Sequence, residues 1–133
     1  MNQTATLKVT ERQFQDWVTE TAGRFGWKWW HVPAPMRHTR SGFVGASEAA
    51  GLPDLILTHH DPPRLVFAEL KAGGGKITPQ QREFLQAVKR VADNADDIME
   101  ADTYDFTPLI GVYAWWPGME APIETLLRTR VLT

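Results

Sequence analysis

Two short apolar runs joined by a prolyl link constrain this chain more than anything else in it. Leu55-Ile56-Leu57 follows the dipeptide Pro53-Asp54, and a second apolar run closes on Glu69-Leu70-Lys71. Between them His59-His60-Asp61-Pro62-Pro63 has the aspartate and prolines of a turn, so residues 54–58 and 64–71 are expected to pair as an antiparallel hairpin. Side chains alternate across a strand. Glu69 and Lys71 then share one face while Leu70 takes the other, and Asp54 at the edge of the preceding strand can add a second carboxylate. Two carboxylates offer the hard oxygen donors that Mg2+ takes while it keeps water and phosphate oxygens in its other positions. Phosphodiester hydrolysis needs that arrangement.

Composition narrows the alternatives. With 133 residues the chain is expected to form one domain around a single core. It has no cysteine, which excludes disulfides, thiolate zinc sites and cysteine nucleophiles. No apolar run is long enough to cross a bilayer, and residues 1–9 lack the apolar centre of a signal peptide, so the expectation is a cytoplasmic protein with no membrane contact. The net charge of -2 suits a nucleic-acid partner poorly until its placement is considered. Asp93, Asp96, Asp97, Glu100, Asp102 and Asp105 stand together with no Lys or Arg among them; outside that group the chain carries 14 basic against 10 acidic residues. A locally basic face is therefore compatible with the whole. The acidic stretch itself reads as a solvated loop or short helix.

Thr10 and Gln13 form a capping-box pattern, and Phe14, Trp17, Val18, Thr21, Ala22 and Phe25 then fall on one helical face before Gly26, predicting a helix over 11–25. Residues 27–32 are aromatic and end at Pro33, as a strand would, and residues 33–51 read as a long loop. After Gly73-Gly74-Gly75, Thr78-Pro79-Gln80-Gln81 opens a second helix with another capping box, expected to end near Ala92. Residues 109–116 read as a buried strand and 122–128 as a closing helix. The predicted order is α-β-β-β-α-β-α.

This order, with Gly51-Leu-Pro-Asp-Leu-Ile-Leu57, Phe67-Ala-Glu-Leu-Lys71 and Thr78-Pro-Gln-Gln81 in succession, resembles the PD-(D/E)XK nuclease superfamily, and within it the VRR-NUC (virus-type replication-repair nuclease) domain. Thr10-Glu11-Arg12-Gln13-Phe14-Gln15, Gly26-Trp27 and Val112-Tyr-Ala-Trp-Trp-Pro117 are similar to stand-alone phage and bacterial members. The resemblance covers nearly all of the chain and departs from the family pattern at two places, a longer loop within 33–51 and an acidic insertion over 93–107.

What the resemblance implies is an α/β, restriction-endonuclease-like core with a mixed β-sheet flanked by helices, working in a bacterial or phage-infected cell. It implies a Mg2+-dependent DNA endonuclease, with Mn2+ as a substitute, leaving 5'-phosphate ends and acting on branched, flapped or junction DNA. Asp54, Glu69 and the backbone carbonyl of Leu70 would hold the metal, and Lys71 would orient the attacking water. Glu11 on the first helix would support the site or a second cation, and Gln81 would lie beside it. A homodimer would present two such sites to DNA. RNA as substrate, or a non-catalytic DNA-binding or assembly module that keeps the fold, are the competing readings.

Other residues point elsewhere. His31, Arg37, His38 and Arg40 around the long loop are candidates for phosphate contact, as is Lys76 after the glycines. Gly75-Lys76 does not make a nucleotide-triphosphate loop, because Leu70 and Ile77 stand where Gly and Ser or Thr are needed, so no nucleotide cofactor is expected. His59 and His60 read as solvated turn residues, and most of the tryptophans as core or interface residues, with stacking on unpaired bases as their other use.

Overall fold

The computed structural model describes residues 9–33, 51–98 and 109–133. In chain order these form α1 (Glu11–Arg24), β1 (Lys28–His31), β2 (Leu55–His60), β3 (Pro63–Leu70), α2 (Pro79–Ile98), β4 (Ile110–Trp115) and α3 (Glu120–Thr129). Among the described residues the expected order of elements is the observed one. No described helix is long and apolar enough to cross a membrane.

Local chemistry starts α1 where the spacing predicts. The Thr10 hydroxyl accepts the Gln13 amide at 3.1 Å, and Gln13 Oε1 accepts the Thr10 amide at 3.0 Å, so two of the unpaired donors at the helix start are satisfied reciprocally. Phe14, Val18, Thr21 and Ala22 then bury one stripe. The helix ends at Gly26, whose φ of 87° favours a residue without a side chain.

The four strands lie in the order β1-β2-β3-β4. The first two pairs are antiparallel and β3–β4 is parallel, with α2 as the crossover between them. Register assigns side chains to faces. Leu57 stands opposite Val66 and Leu55 opposite Ala68, and Leu70 is paired with Trp115, so all six share the inner face. Phe14, Val18, Ala22 and Trp27 from the α1 side and Ile123, Leu126 and Leu127 from α3 close over them as one core. Each such aliphatic side chain withdrawn from water stabilises the fold by about 1.5–3 kcal/mol. Trp27 keeps its one donor satisfied there, giving Nε1–H to the Leu127 carbonyl at 2.8 Å. Ile56, Phe67 and Glu69 project from the opposite face, which α2 covers in part through the edge-on contact of Phe84 with Phe67. The result is a mixed α/β architecture, a four-stranded mixed sheet flanked by helices.

Three expectations are corrected. The prolyl link shortens to Asp61-Pro62, joined by a cis peptide bond, because His59 and His60 belong to β2 and Pro63 to β3. His59 is not solvated but buried. Its Nε2 meets the Phe25 carbonyl at 3.1 Å and its Nδ1 accepts the Asp61 amide at 3.0 Å, so the neutral Nε2–H tautomer satisfies both ring nitrogens. Gly26 makes that approach possible, since a β-carbon there would stand 3.1 Å from Nε2. The second helix also runs past Ala92 to Ile98, carrying the start of the acidic stretch with it. Lys89 meets Asp93 one turn on at 3.3 Å, which offsets part of the charge. Residues 99–107 of the expected insertion and 34–50 of the expected loop, including Arg37, His38 and Arg40, lie outside the described residues.

Candidate active site

The alternation of β3 places Glu69 and Lys71 on one face, as their spacing demands, and the chain then turns through the glycines into α2. Leu55 pairs with Ala68, so continuing the antiparallel register by one residue sets Asp54 opposite Glu69. Asp54 is held by backbone on both sides: its carbonyl accepts the Val32 amide at 2.8 Å, and its Oδ2 accepts the Leu70 amide at 2.7 Å. Two carboxylates therefore stand together on the outer face of the sheet.

Glu69 is withdrawn from solvent, with 3% of its surface exposed. Its Oε1 accepts from Gln81 Nε2 at 2.9 Å and lies 3.5 Å from Lys71 Nζ. Its Oε2 is buried with no donor. Burial, and next the charge of Asp54, push the Glu69 carboxyl up to about 8 against the opposing pull of Lys71. A buried acid with an orphaned oxygen beside a second carboxylate is short of positive charge. A proton supplies it at neutral pH.

Gln81 ties the site to α2. Its Oε1 accepts both the Lys71 ammonium at 2.8 Å and the Thr78 amide at 2.9 Å, while its amide nitrogen faces Glu69. Donors on the oxygen side and an acceptor on the nitrogen side leave only one orientation of the carboxamide. The Thr78 hydroxyl accepts the Gln81 amide at 3.2 Å, so the capping box is complete and the residue serves the helix start and the site at once.

Two contacts invisible in the spacing bring α2 to this position. A β-carbon on Gly51 would stand 2.7 Å from the Gln80 carbonyl, so the glycine before Pro53-Asp54 lets the β2 entry lie directly on the first turn of α2. Trp116 donates Nε1–H to the Gly75 carbonyl at 2.9 Å and fastens the glycine loop to the end of β4. A glycine three residues before an aspartate is the one sequence signal for the first contact; the second has none.

Asp54, Glu69, Lys71 and Gln81 are thus brought together, with Leu70 between the acid and the ammonium on β3. Glu11 is exposed in the first turn of α1 and does not join them; among the described residues no three His, Asp or Glu side chains gather as a metal-ligand set. Lys76 is exposed on the glycine loop, and His31 is exposed at the end of β1. The donors present still fit one divalent cation of the Mg2+ type, which takes one or two carboxylates and completes its shell with water and phosphate oxygens.

The chain is 38% identical over 73 residues to a protein-L-isoaspartate O-methyltransferase of Maricaulis maris (strain MCS10), a match covering 52% of this chain and 34% of that protein. It therefore spans about a third of the length of the relative it matches. No family model matches the chain. No solved structure matches it.

Proposed function

We propose that the chain is a restriction-endonuclease-like nuclease of the VRR-NUC type, hydrolysing phosphodiester bonds in DNA with a divalent cation, Mg2+ or Mn2+, at Asp54 and Glu69. The observation that carries this reading is the buried Glu69 carboxyl beside Asp54, its Oε2 reached by no donor group while Gln81 Nε2 and Lys71 Nζ approach Oε1 at 2.9 and 3.5 Å. That is a pair of acids arranged around a missing positive charge, with an ammonium at its edge. When bound, the cation would polarise the phosphate and ease deprotonation of the attacking water.

The residues present have separable tasks. Asp54, fixed by the Leu70 amide, and Glu69, fixed by Gln81, hold oxygen donors at set positions without reorganisation. Lys71, fixed by the Gln81 carbonyl oxygen, stands ready to orient water and to offset the charge that builds on phosphorus. Water adds to phosphorus as the P–O3' bond breaks, leaving a 5'-phosphate, a 3'-hydroxyl and a proton released to solvent. One domain of this size grips a short stretch of DNA, so a homodimer with two sites suits branched, flapped or junction substrates.

A methyl-transfer reading, which the Maricaulis relative raises, has less support. The match covers 34% of that relative, and the paired carboxyl groups beside Lys71 offer ligands to a cation and a phosphate rather than a pocket for a methyl donor. The test is cleavage of supercoiled plasmid and a labelled four-way junction with Mg2+ or Mn2+, against EDTA and a folded Glu69→Ala control. Metal-dependent cutting absent from the control supports the nuclease. Tight DNA binding without cutting supports a non-catalytic module, and preferential cutting of a matched RNA strand moves the substrate to RNA.

A further inference from the structure

Trp30 is 52% exposed although it lies on a strand, and it lies on the same face of the sheet as the candidate site. Trp30 pairs with Ile56, and Ile56 shares its face with Asp54 two residues earlier. With about 3.3 Å per residue along a strand and about 4.8 Å between strands, the Trp30 and Asp54 backbones stand roughly 8 Å apart. An indole can span much of that gap. Lys28, two residues before Trp30, projects from the same face, and β1 carries no acidic residue.

A large aromatic left open on an edge strand awaits a partner, because natural edges are usually guarded by charge and exposed apolar area is kept small. The neighbouring chemistry selects the partner. A phosphodiester held through a divalent cation at Asp54 and Glu69 would place the adjoining nucleotide near Trp30, and a base presents a flat π-face to an indole. Bases inside a duplex are already stacked and cannot offer that face. We infer that Trp30 is a stacking platform for an unpaired base beside the scissile phosphate, so that the site selects DNA with a single-stranded segment at the cut. This rests on the nuclease reading for the position of the phosphate.

Trp29 provides a built-in control. It is 42% exposed on the same strand but pairs with Leu57, so it faces the opposite side of the sheet. Binding of a labelled duplex with an overhang and of the matching blunt duplex, measured with Ca2+ in place of Mg2+ so that the oxygen-ligand site is filled while uncut substrate is scored, separates the stacking from catalysis. Trp30→Ala is expected to weaken overhang binding about tenfold and leave blunt-duplex binding unchanged, with Trp30→Phe recovering most of the loss. Trp29→Ala should bind both like wild type. The inference is overturned if Trp30→Ala, shown folded by circular dichroism, loses nothing, loses both substrates equally, or matches Trp29→Ala. Cleavage with Mg2+ is measured alongside. A protein that needs Trp30 for overhangs but cuts nothing keeps the platform and loses the nuclease, whereas one that cuts normally without Trp30 keeps the nuclease and loses the platform.

Discussion

Leu70 and Glu69 are neighbours on β3, and both are withdrawn from solvent, yet they face opposite layers of the molecule. Leu70 enters the apolar core closed by α1 and α3, where removal from water is itself favourable. Glu69 enters the outer face, where Gln81 of α2 and Lys71 at the end of β3 approach one carboxylate oxygen and no donor reaches the other. The inner layer is built to be stable alone. On the outer layer, part of the stability is given up to hold an acid whose charged form burial disfavours.

That contrast breaks most sharply at Glu69 itself. Glu69→Ala should reduce cleavage by on the order of a thousandfold or more while leaving the melting temperature equal or higher, because it removes an acid that burial disfavours. A large drop in melting temperature would show that Glu69 is structural. Leu70→Ala should do the reverse, destabilising by about 2–5 kcal/mol in denaturant titration through the cavity it leaves. Gln81→Ala should cut activity about 10–100-fold, the usual effect of a residue that orients ligating groups, with a small loss of stability from the helix cap.

A pH titration sharpens the comparison without a substitution in the core. Glu69 has its folded pKa raised from 4.5 to about 8, so between those values the folded chain binds the proton that the unfolded chain has released. Its contribution is fully present below about 4.5, falls as pH rises, and is lost above about 8. Metal-free protein should therefore lose stability across that window; Glu69→Gln or saturating Mg2+ should flatten the curve. Equal slopes with and without Mg2+ would mean that no cation reaches Glu69. The smallest effect is expected at Glu11, which is exposed and outside the cluster, where Glu11→Ala should change turnover by less than about threefold, in line with ordinary surface substitutions.

Much of the sheet was legible because its period is short. Alternation alone placed Glu69 and Lys71 together and Leu70 apart, and the capping-box spacing located the start of α2. The opposition of Asp54 and Glu69 needed the register, which depends on the length of the turn, and the spacing spread that turn over five residues where two suffice. The extended α2 also left a trace that charge obscured: no Gly or Pro lies between Arg82 and Thr107 to stop it. Glu11 shows the limit of helical periodicity, which gives direction around an axis but not depth; the first turn of α1 carries its side chain out to solvent. Of the tryptophans, Trp27 and Trp115 join the core as expected, whereas the exposure of Trp30 follows from β1 being an edge.

The shared oxygen of Gln81 has a consequence for motion. One atom accepts both the Thr78 amide that caps α2 and the Lys71 ammonium, so when the first turn of the helix frays, the clasp on Glu69 opens with it. Local unfolding of that turn and loss of the assembled site are then the same event, and whatever occupies the site should slow hydrogen exchange at the start of α2 before any other part of the chain.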